Sequence, residues 1–120
     1  MAAFRFSRRA AADLMSIADY TLRKWGKSQA ARYISELEVC CQRLADNPAL
    51  GRPCDYVRPG LRRLEHGKHV VFYRKELGGI KVSRILHQRM LPDRHATDDQ
   101  FEDRNMPLSL RRKNLLPELQ

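Results

Sequence analysis

The stretch LRRLEHGKHVVFYRKELGGIKVSRILH, Leu61 to His87, decides the fold because it holds three strand-like runs separated by glycine turns. The runs cover residues 61–64, 69–73 and 80–86, and the turns fall at His66-Gly67 and Gly78-Gly79. Short turns of this kind join consecutive strands into an antiparallel meander. Because the middle run, His69-Val70-Val71-Phe72-Tyr73, is apolar at adjacent positions, we predict that both faces of its strand are buried.

Two helices precede the meander. Apolar residues recur at spacings of three and four from Ala10 to Trp25, and again from Ala30 to Leu44, which predicts two amphipathic helices. Ser7 is placed to cap the first helix, and the dipeptide Asn47-Pro48 ends the second. Since only Gly26 and Lys27 lie between the helices, we predict that they fold back on each other as an antiparallel hairpin.

One more strand is predicted before the helices, at residues 3–7, because Phe4 and Phe6 alternate with Arg5. The chain is therefore predicted to be an α+β protein with the order β-α-α-β-β-β, in which an antiparallel sheet packs against an N-terminal helical hairpin. Its 120 residues allow one hydrophobic core. We place the domain at residues 1–95 and a C-terminal extension at residues 96–120, which is predicted either to form a short helix or to be disordered.

Charge and cysteine usage narrow the class of protein. The net charge is +9, and residues 60–95 contribute +6 of it through nine basic and three acidic residues. Such a surface attracts nucleic acid, anionic lipid or an acidic protein. Cys40, Cys41 and Cys54 are an odd number without metal-binding spacing, which indicates a reducing cytoplasm. No run approaches the roughly 18 apolar residues that a membrane-spanning helix needs, so we expect no membrane association.

The candidate target-binding site lies in the basic segment of residues 60–95, which contains the predicted meander. Two guanidinium groups on neighbouring strands, those of Arg63 and Arg84, are predicted to form a fork suited to phosphate or carboxylate. In a nuclease, His87 would act as general acid or base beside these arginines. The alternative is a structural histidine at a strand end within a solvated basic surface. The full predicted target-binding set is Arg62, Arg63, Arg84, His87 and Arg89.

Metal and cofactor sites are not expected. His66 and His69 flank a glycine turn and have no third ligand nearby in the sequence, so we predict no metal site. The glycines are isolated turn residues, so no phosphate-binding loop is indicated. Tyr20, Trp25 and Tyr33 fall on or beside the helical stripes, which favours core packing or partner contact over a cofactor site.

The chain resembles the ParE branch of the ParE/RelE toxins of bacterial toxin–antitoxin modules. The resemblance covers about residues 3–92 and rests on the joint order of several pieces rather than on any one of them. These pieces are Asp13-Leu14 with Ile17 and Tyr20, Trp25-Gly26, residues 30–33, Leu44-Ala45-Asp46-Asn47-Pro48, Leu50-Gly51-Arg52-Pro53, Arg58-Pro59-Gly60-Leu61-Arg62, residues 67–73 and Ile85-Leu86-His87.

The resemblance implies a cytoplasmic plasmid-stabilisation toxin, not an enzyme, that inhibits DNA gyrase and is neutralised by a ParD-like antitoxin. The antitoxin's C-terminal segment is expected to wrap the hairpin and the sheet, and no sequence-specific binding of nucleic acid by the toxin alone is expected. The alternative is a RelE-like endoribonuclease that cuts messenger RNA on the ribosome with Arg63, Arg84 and His87. One departure from the family pattern is Met90-Leu91, where a basic–acidic pair is common after the histidine. The predicted antitoxin contacts are Leu14, Ile17, Tyr20, Trp25, Tyr33 and Tyr73.

Overall fold

The computed structural model describes residues 2–91, in which two helices cover one face of a five-stranded sheet. The helices are α1 (Arg8–Trp25) and α2 (Lys27–Asp46). The strands are β1 (Ala3–Phe6), β2 (Arg52–Pro53), β3 (Arg62–His66), β4 (His69–Glu76) and β5 (Gly79–His87), and short 3₁₀ turns lie at Pro48–Leu50 and Gln88–Met90. The α+β class and the predicted order of elements are confirmed; β2 was not predicted. The boundary between residues 1–95 and 96–120 lies outside the described residues.

The helical hairpin forms for the predicted reasons. The Ser7 side chain accepts a hydrogen bond from the Ala10 backbone N–H at 3.0 Å and so caps α1. Gly26 lies between the helices with φ of 94°, a conformation that a residue with a Cβ rarely adopts. At the other end, α2 stops before Asn47-Pro48. Neither helix of the described residues has the length and apolar character that crossing a bilayer requires.

Besides the additional strand β2, the sheet differs from the prediction in the direction of β1. Its order is β1-β5-β4-β3-β2, and β1 pairs in parallel with β5, whereas every other neighbouring pair is antiparallel. The sheet is therefore mixed, and the expectation of a purely antiparallel sheet was wrong. The physical reason is that β1 is joined to the rest of the sheet through the helical hairpin and not through a tight turn, so no local connection imposes its direction.

Two apolar clusters lie on opposite faces of the sheet, because alternate residues of a strand point to opposite sides. On the helical face, Val71 and Tyr73 of β4 pack with α1 and α2. On the other face, Val70 and Phe72 pack against the loop that precedes β3. The prediction that the middle strand is buried on both faces is confirmed, since all four side chains are buried.

Replacing Leu37, at the centre of α2, tests the packing of the core between the helices and the sheet. Its side chain is 1% exposed, and we expect Leu37→Ala to lower the free energy of unfolding by about 2–5 kcal/mol through lost apolar contact and a residual cavity. Val39→Ala is the matched control, because Val39 lies on the same helix but is exposed, and it should cost about 0.5 kcal/mol or less. Urea denaturation of both variants measures the difference. A loss below about 1 kcal/mol for Leu37→Ala would contradict the packing described.

Candidate functional site

A groove runs between α1 and the adjoining ends of β4 and β5. It consists of two adjoining depressions, with volumes of about 410 Å³ and about 790 Å³. The residues common to both are Tyr20, His69, His87 and Arg89. We call the two depressions together the histidine groove. Its smaller part is also lined by Asp13, Ser16, Ile17, Ile85 and Met90, and its larger part by Thr21, Lys24, Trp25, Gln29, Tyr33, Gly67, Lys68 and Gln88.

The floor of the groove is a contact between histidines of neighbouring strands. His69 of β4 lies directly opposite His87 of β5, and the two ring centroids are 5.3 Å apart in an edge-to-face arrangement. The Tyr33 hydroxyl, from α2, lies 2.6 Å from His69 Nδ1 and 3.2 Å from the backbone oxygen of His66. The hydroxyl therefore connects α2 to the floor and holds the His69 ring in one orientation.

Burial and neighbouring charge change the titration of His69. Desolvation, followed by the nearby His87 and His66, lowers the pKa of His69 from its ordinary value of 6.5 to about 4, while Asp13 acts in the opposite direction. At neutral pH the imidazole is therefore uncharged, and it offers a donor and an acceptor nitrogen rather than a cation.

This pKa shift predicts a loss of stability in acid. Between pH 6.5 and pH 4 the unfolded chain binds a proton at His69 that the folded chain does not, so lowering the pH favours unfolding. We expect His69 to lower the free energy of unfolding by about 1–2 kcal/mol across this window. This is less than the whole pKa shift would give, because water screens a part-buried ring. Urea denaturation at pH 7 and pH 4 should show a smaller loss for His69→Gln than for the original chain. Equal losses in both proteins would rule out His69 as the cause.

The predicted fork of arginines does not form, because each guanidinium group has its own partner. Arg63 donates to Glu65 at 2.9 Å and lies over the Phe72 ring, on the sheet face away from the helices. Arg84 instead makes two hydrogen bonds of 2.8 Å to Asp13 of α1. The register of β4 and β5 shifts between Phe72 and Tyr73, where Arg84 lies, and a bulge of this kind redirects a side chain. The expectation that Arg63 and Arg84 share one sheet face was therefore wrong.

The other predicted target-binding residues separate in the same way. Arg62 donates to the backbone oxygen of Gly51 at 2.6 Å, so it holds the loop before β2 in place. His87 and Arg89 line the histidine groove. The basic set therefore divides into two structural arginines outside the groove, one arginine ion-paired with the groove residue Asp13, and two residues that a ligand in the groove would meet.

Four of the six predicted antitoxin contacts line the groove, namely Ile17, Tyr20, Trp25 and Tyr33, whereas Leu14 packs against the core on the helical face. Tyr20 and Trp25 are the most accessible, at 57% and 64% exposure, and both line its larger part. Tyr33 and Leu14 are part-buried, and Ile17 is buried but lines the smaller part.

The position of Tyr73 contradicts its prediction as an antitoxin contact. It is fully buried, and its hydroxyl donates to the Pro48 backbone oxygen at 2.6 Å while the hydroxyl oxygen accepts from the Gly51 N–H at 2.9 Å. A partner cannot reach it, so its prediction as a contact was wrong.

Sequence reasoning missed three groups of the groove. The sequence pattern presents His69 only as a possible metal ligand beside His66, because its contact with His87 depends on strand register. Lys24 and Lys68 carry no signal, because exposed lysines are common in a sequence this basic. Among the described residues no group of three His, Cys, Asp or Glu side chains is arranged to hold a metal ion.

Comparison with known proteins identifies relatives over the described domain. The family model described as ParE toxin of type II toxin-antitoxin system, parDE, matches residues 4–92. The chain is 46% identical over 93 residues to Toxin ParE1 of Mycobacterium tuberculosis, covering 77% of this chain and 95% of that protein. It is 43% identical over 90 residues to Toxin ParE1 of Caulobacter vibrioides, covering 75% and 93%.

A solved structure shows a similar fold. The structure titled Chromosomal ParDE TA system from P. aeruginosa superposes with a TM-score of 0.61 at 27% sequence identity. The match covers 72% of this chain and 96% of the solved chain. The similarity therefore extends over nearly the whole of each relative described.

Proposed function

The chain belongs to the ParE toxin family of type II toxin–antitoxin systems, and from this premise we propose that it inhibits DNA gyrase and that a ParD-like antitoxin neutralises it. The family match over residues 4–92 carries the proposal. A cytoplasmic location follows from a target that acts on the bacterial chromosome.

Binding rather than catalysis is supported by the state of the arginines. A nuclease needs cations that are free to stabilise the charge developing on the scissile phosphate. Here Arg63 is paired with Glu65, and Arg84 is paired with Asp13. The three residues proposed for a RelE-like active site are therefore not arranged around one phosphate, which favours a toxin that acts by binding its target.

The first experiment is expression of the chain without an antitoxin, scored in parallel for DNA cleavage that depends on gyrase and for messenger RNA cut within codons. We expect double-strand DNA breaks and intact messages, with the breaks absent in a host whose gyrase resists the toxin. Cut messages with intact DNA would replace the proposal with the endoribonuclease alternative.

His87→Ala separates the two activities further. A gyrase inhibitor should keep part of its effect on DNA cleavage, because binding energy is spread over a surface. An endoribonuclease that depends on His87 for proton transfer should lose about 10²–10⁴-fold in rate. The melting temperature of the variant must match that of the original chain, so that lost toxicity is not caused by unfolding.

The antitoxin part of the proposal predicts that Trp25 is a major contact. Trp25 is 64% exposed on α1, and large aromatic side chains dominate protein interfaces. We expect Trp25→Ala to weaken binding of the ParD-like partner by about 30-fold, equivalent to about 2 kcal/mol. Tyr56→Ala is the matched control, because Tyr56 is similarly exposed but lies near Arg63 outside the groove. Equal effects of the two substitutions in titration calorimetry would remove the helical hairpin as the antitoxin-binding surface.

A further inference from the structure

We propose that the histidine groove binds single-stranded nucleic acid without sequence preference, with Tyr20 and Trp25 stacking on bases and Lys24, Lys68 and Arg89 contacting phosphates. The inference does not depend on the gyrase or antitoxin proposals, because it concerns the isolated chain. It is also compatible with the expectation that the toxin reads no specific sequence.

Three cations of the groove form no ion pair with a carboxylate of the described residues. Arg5, Arg23, Arg52, Arg63 and Arg84 each form an ion pair with a carboxylate. Lys24, Lys68 and Arg89 line the larger part of the groove and are exposed, and no carboxylate of residues 2–91 pairs with them. Three positive charges around one concave surface form an electrostatic site for a polyanion.

The groove also has little negative charge to oppose a phosphate. Asp13 is the one carboxylate among the described residues that line it. Both oxygens of Asp13 accept from Arg84 at 2.8 Å, and one of them also accepts from the Ile85 N–H at 2.9 Å. The negative charge of Asp13 is therefore neutralised locally, and the field of the three free cations dominates the groove.

Two exposed aromatic rings line the same part of the groove as these cations. Tyr20 and Trp25 are more than half exposed although they line a depression of about 790 Å³. Aromatic faces beside a basic groove are the arrangement that single-stranded nucleic acids recognise, since every base can stack on such a face. A run of acidic residues would pair with the cations but offers no flat group to stack on the two rings, which each base of a nucleic acid supplies.

The polar floor of the groove is suited to the edge of a base. The uncharged His69 and the Tyr33 hydroxyl lie 2.6 Å apart at the floor, and Gln29 and Gln88 stand at its border. The side-chain amides of Gln29 and Gln88 each carry a donor and an acceptor and can rotate, so they can adapt to any base rather than select one. This is why the site is assigned no sequence preference.

The test uses the intrinsic fluorescence of Trp25, the only tryptophan of the chain. The full-length chain is titrated with a 12-nucleotide oligodeoxythymidylate and a 12-nucleotide oligouridylate. We expect saturable quenching of Trp25 by at least one strand, since stacking places a base on the indole ring. The logarithm of the binding constant should fall with the logarithm of salt concentration with a slope of about −2, as about three phosphate contacts predict.

Matched variants locate the site. Lys68→Ala and Arg89→Ala should each weaken binding and reduce the salt slope by about 0.7, whereas Lys75→Ala, which removes a charge outside the groove, should leave binding nearly unchanged. Tyr20→Ala should weaken binding about tenfold, and Tyr56→Ala should not.

Three results would overturn the proposal. They are no quenching by either strand, equal effects of Lys75→Ala and Lys68→Ala, or equally tight quenching by a 12-residue oligoglutamate. The last result would assign the groove to an acidic polypeptide instead. Quenching by only one of the two oligonucleotides supports the proposal and shows whether the groove prefers DNA or RNA.

Discussion

Replacing Asp13 with alanine is expected to lower the free energy of unfolding by about 3–5 kcal/mol, because it removes the part-buried carboxylate that neutralises the Arg84 charge. The side chains of Asp13 and Arg84 are 13% and 12% exposed, and their two hydrogen bonds of 2.8 Å join α1 to β5. Asp13 also accepts from the Ile85 N–H. The substitution therefore removes three hydrogen bonds to one carboxylate.

Two controls separate this effect from the general cost of removing an aspartate. Asp19→Ala breaks the exposed ion pair with Arg23 on the same helix and should cost about 0.5 kcal/mol or less. The double variant Asp13→Leu with Arg84→Met should be less destabilised than Asp13→Ala alone, because it removes both charges of the pair together. Urea denaturation measures all three. A loss below about 1 kcal/mol for Asp13→Ala would mean that the pair is not held as described.

Gly79→Ala is expected to lower the free energy of unfolding by about 3–5 kcal/mol, through a backbone clash added to an unfavourable conformation. Gly79 opens β5 opposite Ala3 of β1 with φ of 155°. A Cβ at this position would collide with the backbone of Ala3, including its carbonyl oxygen, and backbone in a strand cannot move aside without losing its pairing. β1 would be displaced, and Phe4 and Phe6 would leave the core they pack against.

Gly78→Ala is the control for this prediction. Gly78 has φ of 83°, but a Cβ there would meet no atom within 4 Å. Its replacement should therefore cost only the conformational strain of about 1–2 kcal/mol. Thermal and urea denaturation of the two variants isolates the contribution of the close approach. Equal losses would show that β1 does not lie against Gly79 as the structure has it.

The candidate site was predictable only in part, and its residues show why. Tyr20 and Trp25 could be singled out because a large aromatic residue at the edge of a helical stripe is visible in the sequence. The partners of the arginines could not, since Asp13 and Arg84 are 71 positions apart. The contact of His69 with His87 required the register of β4 and β5, which the spacing of the residues leaves open.

Local sequence patterns are enough to predict the two helices and their hairpin, the order of every strand except β2, and the burial of β4, because each depends on periodicity and end signals within about twenty residues. Three features follow only from the packing of distant segments: β1 runs parallel to β5, Tyr73 is buried, and the Arg84 side chain points toward α1 rather than toward Arg63. These features depend on which distant segments pack together and in what register. Local patterns set which face of an element is apolar, whereas the partner of that face is chosen by the packing of the whole domain.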